Sequence, residues 1–298
     1  MKKIKIPVIL IISVILGFFN NACSEPKTKT VLTYTNTEYS DTLKFLWETS
    51  ADLKTPESVK FDSVNNILYI SNINGNPAAK DGNGFISKVS LDGKIIEKEW
   101  VKGLNAPKGM GIYKGILFVT DIDELAEISI AEGKIIKTYK VADAKFLNDI
   151  DVDETGNVYV SDTETGKIWV LKNKTFNVWL QSPEFVSPNG LFVYKQNLLV
   201  GTKNKILSVD IKTKNIKTYI DHTGSIDGLE SIGNNQFIFS DWSGHIYISN
   251  YARDIKLVLN TAKDTVQAAD IEYCAEKDMI LVPTFYHNTV SAYKLIKK

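Results

Sequence analysis

The chain has 298 residues, 35 lysines and arginines against 35 aspartates and glutamates, 44% hydrophobic residues and two cysteines. A balanced charge with no basic stripe gives no counterion-release drive toward nucleic acid. Two cysteines, one of them beside an N-terminal apolar run, leave no partner for a disulfide within the rest of the chain.

The first 22 residues read as a bacterial lipoprotein signal peptide. Lys2, Lys3 and Lys5 make a basic start, residues 6–19 an apolar run short for a spanning helix, and Asn21-Ala22-Cys23 ends it with a small residue before cysteine. Cys23 would then be the lipidated N-terminus, with Asn20 standing where the usual motif carries an aliphatic residue. A plain secretory signal and an uncleaved anchor are the alternatives, and all three send the chain out of the cytoplasm. The expected setting is the bacterial cell envelope, for a monomer that meets membrane only through its lipid anchor. Without the three signal lysines, 32 basic residues face 35 acidic ones, a net charge of −3. Residues 23–41 are polar and threonine-rich with no apolar period, as in a tether.

Residues 42–298 are long enough for one large all-β domain. Segment 42–48 has strand character. Six small cassettes then open short strands: Pro56-Glu57-Ser58-Val59, Pro107-Lys108-Gly109-Met110, Leu147-Asn148-Asp149-Ile150, Pro188-Asn189-Gly190-Leu191, Ile226-Asp227-Gly228-Leu229 and Ala268-Ala269-Asp270-Ile271. Their second residues are spaced by 51, 40, 41, 38 and 42 positions, the length of a four-stranded propeller blade. A second apolar strand follows each cassette, as in Phe237-Ile238-Phe239. An alternating third comes next, as in Lys167-Ile168-Trp169-Val170-Leu171, and a fourth follows a turn such as Asp92-Gly93. The sixth copy runs out after its third strand near Ala292-Tyr293-Lys294-Leu295, so segment 42–48 is expected to supply the outer strand. The prediction is an all-β fold, a six-bladed β-propeller closed by an N-terminal strand. Cys274, in Glu272-Tyr273-Cys274 on an inner strand, is expected to be a buried, inert thiol.

Rotational repetition carries Glu57, Asn148, Asn189 and Asp227 to one ring, although the first and last are 170 residues apart. Two carboxylates and two amide carbonyls form a divalent-cation site suited to calcium or magnesium and unsuited to structural zinc. Any one of these Asn-Gly or Asp-Gly pairs alone would read as a turn. Four in phase with the blade repeat argue for a site. Lys108 sits in the same register of blade two. It either stabilises an oxyanion above the cation or fills the axis itself in a metal-free cluster with Glu57 and Asp227.

The residues just past each second strand emerge on the same face, making Asp121, Asp162, Trp242 and Tyr286, with Asn148, the expected substrate contacts. His287 follows on that face as a candidate for proton transfer. His222 lies on a connection entering it, and His245 belongs to a third strand and should be structural. The loop over residues 72–84, rich in Asn, Gly, Pro and Ala, reads as a lid or as an ordinary surface loop.

These motifs resemble the family of senescence marker protein, gluconolactonase and luciferin-regenerating enzyme, over about residues 42–298. The likeness is carried by Pro56-Glu57, Asn148-Asp149, Pro188-Asn189-Gly190-Leu191, and Asp227-Gly228 followed by Phe239-Ser240-Asp241. It implies a calcium-type propeller in which Glu57, Asn189 and Asp227 hold the metal, Asn148 adds to the site or touches substrate, and Asp227 is the base. Ser58 in place of glycine, Lys108 in the ring and the lipoprotein signal depart from the family pattern. The expected function is metal-dependent hydrolysis of a lactone or related ester, sugar-derived lactones included, with Lys108 or His287 assisting at the oxyanion or leaving oxygen. Two alternatives stand beside it. One is a non-catalytic envelope propeller that binds a glycan, peptide or protein partner, with Trp242, Phe285 and Tyr286 for stacking. The other is a metal-independent lyase or condensing enzyme of the strictosidine-synthase type.

Overall fold

A computed structural model describes residues 43–249 and 254–296, all within the unit spanning 37–298. The signal segment, Cys23 and the tether lie outside the described residues. Those described form six four-stranded antiparallel sheets arranged as a propeller. Blade one is Pro56–Asp62, Ile67–Asn72, Gly84–Ser90 and Ile95–Leu104; blade two is Pro107–Tyr113, Ile116–Asp121, Glu124–Ser129 and Lys134–Lys140. Blade three is Leu147–Val152, Val158–Asp162, Lys167–Lys172 and Thr175–Gln181; blade four is Leu191–Tyr194, Asn197–Gly201, Lys205–Asp210 and Ile216–Asp221. Blade five is Leu229–Gly233, Gln236–Asp241, His245–Ser249 and Ile255–Asn260. Blade six takes Glu272–Cys274, Met279–Pro283 and Val290–Leu295 from the C-terminal end of the chain, and its outermost strand is Leu43–Glu48. Phe45 lies opposite Tyr293 and Trp47 opposite Ala292 in that pairing.

Burial follows strand position. The second strands, such as Val158–Asp162 and Met279–Pro283, are buried along their whole length because each is covered by a blade on either side. Fourth strands such as Ile216–Asp221 are mostly open to solvent. The core lies between blades. Leu199 and Ile206 of blade four, for example, pack with Phe237 and Phe239 of blade five, and each such buried side chain contributes about 1.5–3 kcal/mol. Cys274 is buried and free, and burial pushes its thiol pKa up.

Two local features set the cassettes. The glycines of Asn189-Gly190 and Asp227-Gly228 are not at positive φ. They are needed because neighbouring inner strands converge near the axis: a Cβ on Gly190 would sit 2.4 Å from the Asp227 carbonyl oxygen, and one on Gly228 2.3 Å from the Ile271 nitrogen. The pairing register also slips between Pro56 and Val59, Pro107 and Met110, and Leu147 and Ile150. A bulge there lets two consecutive residues turn toward the axis.

Candidate functional site

Hydroxyls recurring on the second strands tie down the cassettes that carry the ring. The Ser71 hydroxyl accepts from the Ser58 amide at 2.9 Å, that of Ser161 from the Asp149 amide at 3.0 Å, and that of Ser240 from the Gly228 amide at 2.9 Å while donating to the Ala269 carbonyl. Thr120 donates across to the Asn148 carbonyl at 2.5 Å. Ser58, where the family pattern has glycine, donates its hydroxyl to Asp270 at 2.5 Å.

The ring residues come together as expected. Glu57, Asn148, Asn189, Asp227 and Lys108 all line one cavity of about 240 Å³ at the axial end of the inner strands. Asn189 Nδ2 donates to Asp227 Oδ1 at 2.7 Å, and Asn148 Nδ2 donates to Thr163 at 3.2 Å, so both amides present their oxygens elsewhere. Two of the ring oxygens, Glu57 Oε2 and Asn189 Oδ1, are buried and have no hydrogen-bond partner among the described residues. Buried acceptors left without a donor are costly, and a cation is one way to satisfy them. The donor set of carboxylates and amides fits calcium or magnesium. Among the described residues no three His, Cys, Asp or Glu side chains gather in a metal-holding group, so the two amides would be essential to such a site.

The electrostatics agree with that need. Burial, the Asp227 charge and Asp149 push the Glu57 pKa well above the usual carboxylate value, with Lys108 opposing them. Burial raises Asp227 to about 7, the Asn189 hydrogen bond pulling it down and Asp241 pushing it up. Two buried carboxylates facing each other cannot both ionise cheaply without a nearby positive charge.

Lys108 does not fill the axis as a direct partner of both carboxylates. Its ammonium donates to the carbonyls of Pro77 and Ala106 at 2.9 Å each and lies 4.4 Å from the centroid of the Phe146 ring. Burial lowers its pKa to about 8, against the raising effect of Glu57 and Asp121. The Pro77 contact draws the loop over residues 73–83 onto the cavity mouth, where Ile73 and Pro77 join the lining. Lys80 pins the same loop to Asp123 at 2.5 Å. The segment therefore borders the cavity, a placement its polar composition alone did not indicate.

Three expected contacts lie elsewhere. Asp121 is buried beneath the site, accepting from the Asn105 and Ala106 amides at 2.8 and 2.7 Å. Asp162 accepts from the Lys145 and Phe146 amides, both at 3.2 Å, and from the Trp169 indole at 3.3 Å. These aspartates fix the segments that deliver Lys108 and Phe146 and do not line the cavity. His287 ends the short 3-10 turn Phe285–His287 and is also not among the lining residues, whereas Phe285 and Tyr286 of the same turn are. Of the expected substrate contacts, Asn148, Trp242 and Tyr286 are on the cavity. His222 projects into solvent, and His245 is held by Asp241 at 2.9 Å as a structural pair.

The cavity also has residues that sequence reading passed over: Phe146, Ser225 and Ile226, each just before an inner strand. A second layer was missed as well. Deeper along the inner strands, Asp149, Asp151, Glu230, Asp270 and Glu272 surround Lys60, which pairs with Glu272 at 2.7 Å and Glu230 at 3.6 Å. Burial raises Glu230 and Asp270 well above the usual carboxylate value and Asp149 to about 7. The missed signal was the pair Asn148-Asp149. Strict alternation sends its members to opposite faces, whereas the bulge gives both to the axis.

Comparison with family models and with curated proteins gives no match. Among solved structures the fold is similar to a streptogramin B lyase, with a TM-score of 0.63 and 12% identity over 85% of this chain and 97% of that chain. It is similar to a catalytically inactive virginiamycin B lyase from Staphylococcus aureus with quinupristin, with a TM-score of 0.60 and 13% identity over 85% and 99% of the two chains. The WD40 β-propeller domain of Doa1 gives 0.62 and 14% over 81% and 79%. At such identities the likeness is one of fold alone.

Proposed function

We propose that the cavity is the active site of a metal-dependent hydrolase of a lactone or related ester, acting in the bacterial cell envelope where the N-terminal segment would anchor it. Kinship with the senescence marker protein and gluconolactonase family is part of this reading and rests on the cassette motifs. The observation that carries it is the pair of buried, donorless oxygens on Glu57 and Asn189 beside Asp227.

A calcium or magnesium ion held by Glu57, Asn148, Asn189 and Asp227 would supply the positive charge that polarises an ester carbonyl. The chain's own groups do the rest. Asn189 holds Asp227 Oδ1, leaving Oδ2 to take a proton from water; its pKa of about 7 without metal would be lowered by the cation, keeping the carboxylate ionised at neutral pH. Lys108, with a pKa of about 8, carries a proton that it can give to the leaving oxygen.

Elimination is a second reading, favoured by the two lyases of similar fold and by the lowered Lys108 pKa, which gives a neutral-amine population able to take a proton from carbon. The test is a panel of lactones and aryl esters assayed after EDTA treatment and after calcium is restored, in water enriched in oxygen-18. Calcium-dependent turnover that Asp227→Asn abolishes, with one labelled oxygen in the product, is the expected result. Unlabelled, unsaturated product would assign elimination. Turnover indifferent to EDTA and to Asp227→Asn would overturn the proposal.

A further inference from the structure

The charged side chains of the cavity are buried, and two of its aromatic rings reach the surface. Glu57, Lys108, Asn148 and Asp227 are at most 7% exposed, whereas Trp242 and Tyr286, on the same cavity, are 43% and 59% exposed. Much of the remaining lining is hydrocarbon: Ile73, Pro77, Phe146, Ile226 and Phe285. Trp242, Phe285 and Tyr286 meet edge to face, with ring centroids 4.8–5.9 Å apart and planes at 80–88°. Mutual edge contacts brace the three rings without stacking them, so large aromatic surface stays open toward the cavity. Exposed aromatic surface held in place at a cavity mouth is a binding feature.

We propose that the substrate is a small lactone or ester bearing an apolar alkyl or aryl substituent, and not a polyhydroxylated sugar lactone. This rests on the ester-hydrolase reading for the carbonyl end. A sugar lactone could lay one face on Trp242, but its hydroxyls need partners as well. Besides the ring residues and Lys108, the lining side chains offer only the Ser225 hydroxyl, the Tyr286 phenol and the Trp242 indole N–H. Lys108 donates to Pro77 and Ala106, which leaves one N–H for the leaving oxygen, and Thr163 beside Asn148 donates to the Pro188 carbonyl at 2.8 Å. Each sugar hydroxyl buried without a partner would weaken binding roughly tenfold. Each methylene laid against the wall would strengthen it about three- to fourfold. At about 240 Å³ the cavity is below the range of roughly 300–1,000 Å³ for drug-sized ligands, which limits the substrate to one ring and a short substituent.

The experiment pairs binding with turnover. Calorimetric binding would use δ-lactams of rising alkyl length and a phenyl-substituted one, which resist hydrolysis. Kinetics would use the matching lactones and glucono-δ-lactone. Affinity and kcat/KM are expected to rise about three- to fourfold per methylene for the first few carbons, with gluconolactone at least tenfold poorer than the alkyl lactone of equal ring size. Trp242→Ala and Tyr286→Ala, both at exposed positions, should each cost the apolar members about tenfold. A flat chain-length series, failure of every lactam to bind, or a preference for gluconolactone would overturn the proposal. Length-dependent lactam binding without turnover of any lactone would support the ligand class and sink the hydrolase reading.

Discussion

Asn189 gives its amide nitrogen to Asp227 Oδ1 at 2.7 Å, and this one bond orients both groups. While Asp227 is ionised the amide cannot flip without placing oxygen against oxygen, so Asn189 Oδ1 stays buried and donorless on the cavity shared with Glu57. A buried acceptor that cannot rotate toward a donor is poised for a cation.

Calcium should therefore stabilise the EDTA-stripped protein, by about 2.7 kcal/mol at a hundredfold excess over Kd. Asn189→Leu, which removes the oxygen at similar volume, and Glu57→Gln should shrink the rise in Tm. Scanning calorimetry with and without calcium reads this directly. Equal rises in all three proteins would remove these residues from the ring.

Blade number, the ring and the strand around Trp47 were legible in the sequence because each depends on a repeat that composition preserves: a period near 40 residues and an oxygen-bearing side chain in fixed phase. The fate of Asp121 and Asp162 was not. An aspartate past a second strand looks the same whether it faces a ligand or caps the amides of the next loop, and only the backbone path shows that Asp162 is occupied by Lys145 and Phe146. Phe146 itself precedes a strand and carries no periodic signal. The acidic layer around Lys60 was hidden because the bulge breaks the alternation by which inner faces are read.

Calcium binding should also be linked to protons. Asp227 has a native pKa of about 7, and the cation needs its carboxylate. Affinity is therefore expected to be full above pH 7 and to fall as pH drops below it, with protons released on binding at pH 6. Titration calorimetry in two buffers of different ionisation enthalpy would detect the release. Identical apparent enthalpies at pH 6 would contradict it.

Lys108→Met keeps the buried stem and removes the ammonium. With one positive charge gone from the cavity, calcium should bind several-fold more tightly. The Pro77 carbonyl also loses its donor, so the loop over residues 73–83 should be cut faster by protease. Unchanged calcium affinity would show that the lysine charge is not felt at the ring, and unchanged proteolysis that Lys80 and Asp123 alone hold the loop.

Asp162→Ala tests the structural role given to that residue. It strips acceptors from the Lys145 and Phe146 amides and from the Trp169 indole, and the expected loss is about 2–4 kcal/mol. A side chain that only touched substrate would change stability by less than about 0.5 kcal/mol. Urea unfolding distinguishes the two, and a midpoint equal to the parent's would return Asp162 to the substrate.

Glu230 offers a test on the deeper layer, away from the ring. Burial raises its pKa well above 4.5; Lys60 opposes the rise, while Glu272 and Asp151 add to it. A carboxyl whose pKa rises on folding binds more protons native than unfolded between the two values. Its contribution is harmless below about 4.5 and turns destabilising as pH climbs from there toward the native pKa. Every tenfold difference in proton affinity between the folded and unfolded chain costs about 1.4 kcal/mol once both have lost the proton. Glu230→Gln ends that titration, while Glu272 remains to hold Lys60 at 2.7 Å. The variant should match the parent near pH 4.5 and become increasingly more stable than it as pH rises toward 8. Asp149 and Asp270 titrate in both proteins, so the difference between the two unfolding curves reports Glu230 together with its coupling to Lys60, Glu272 and Asp151. A variant less stable than the parent at pH 8 would mean that Glu230 is ionised at little cost, with Lys60 stabilising it as fully as Glu272.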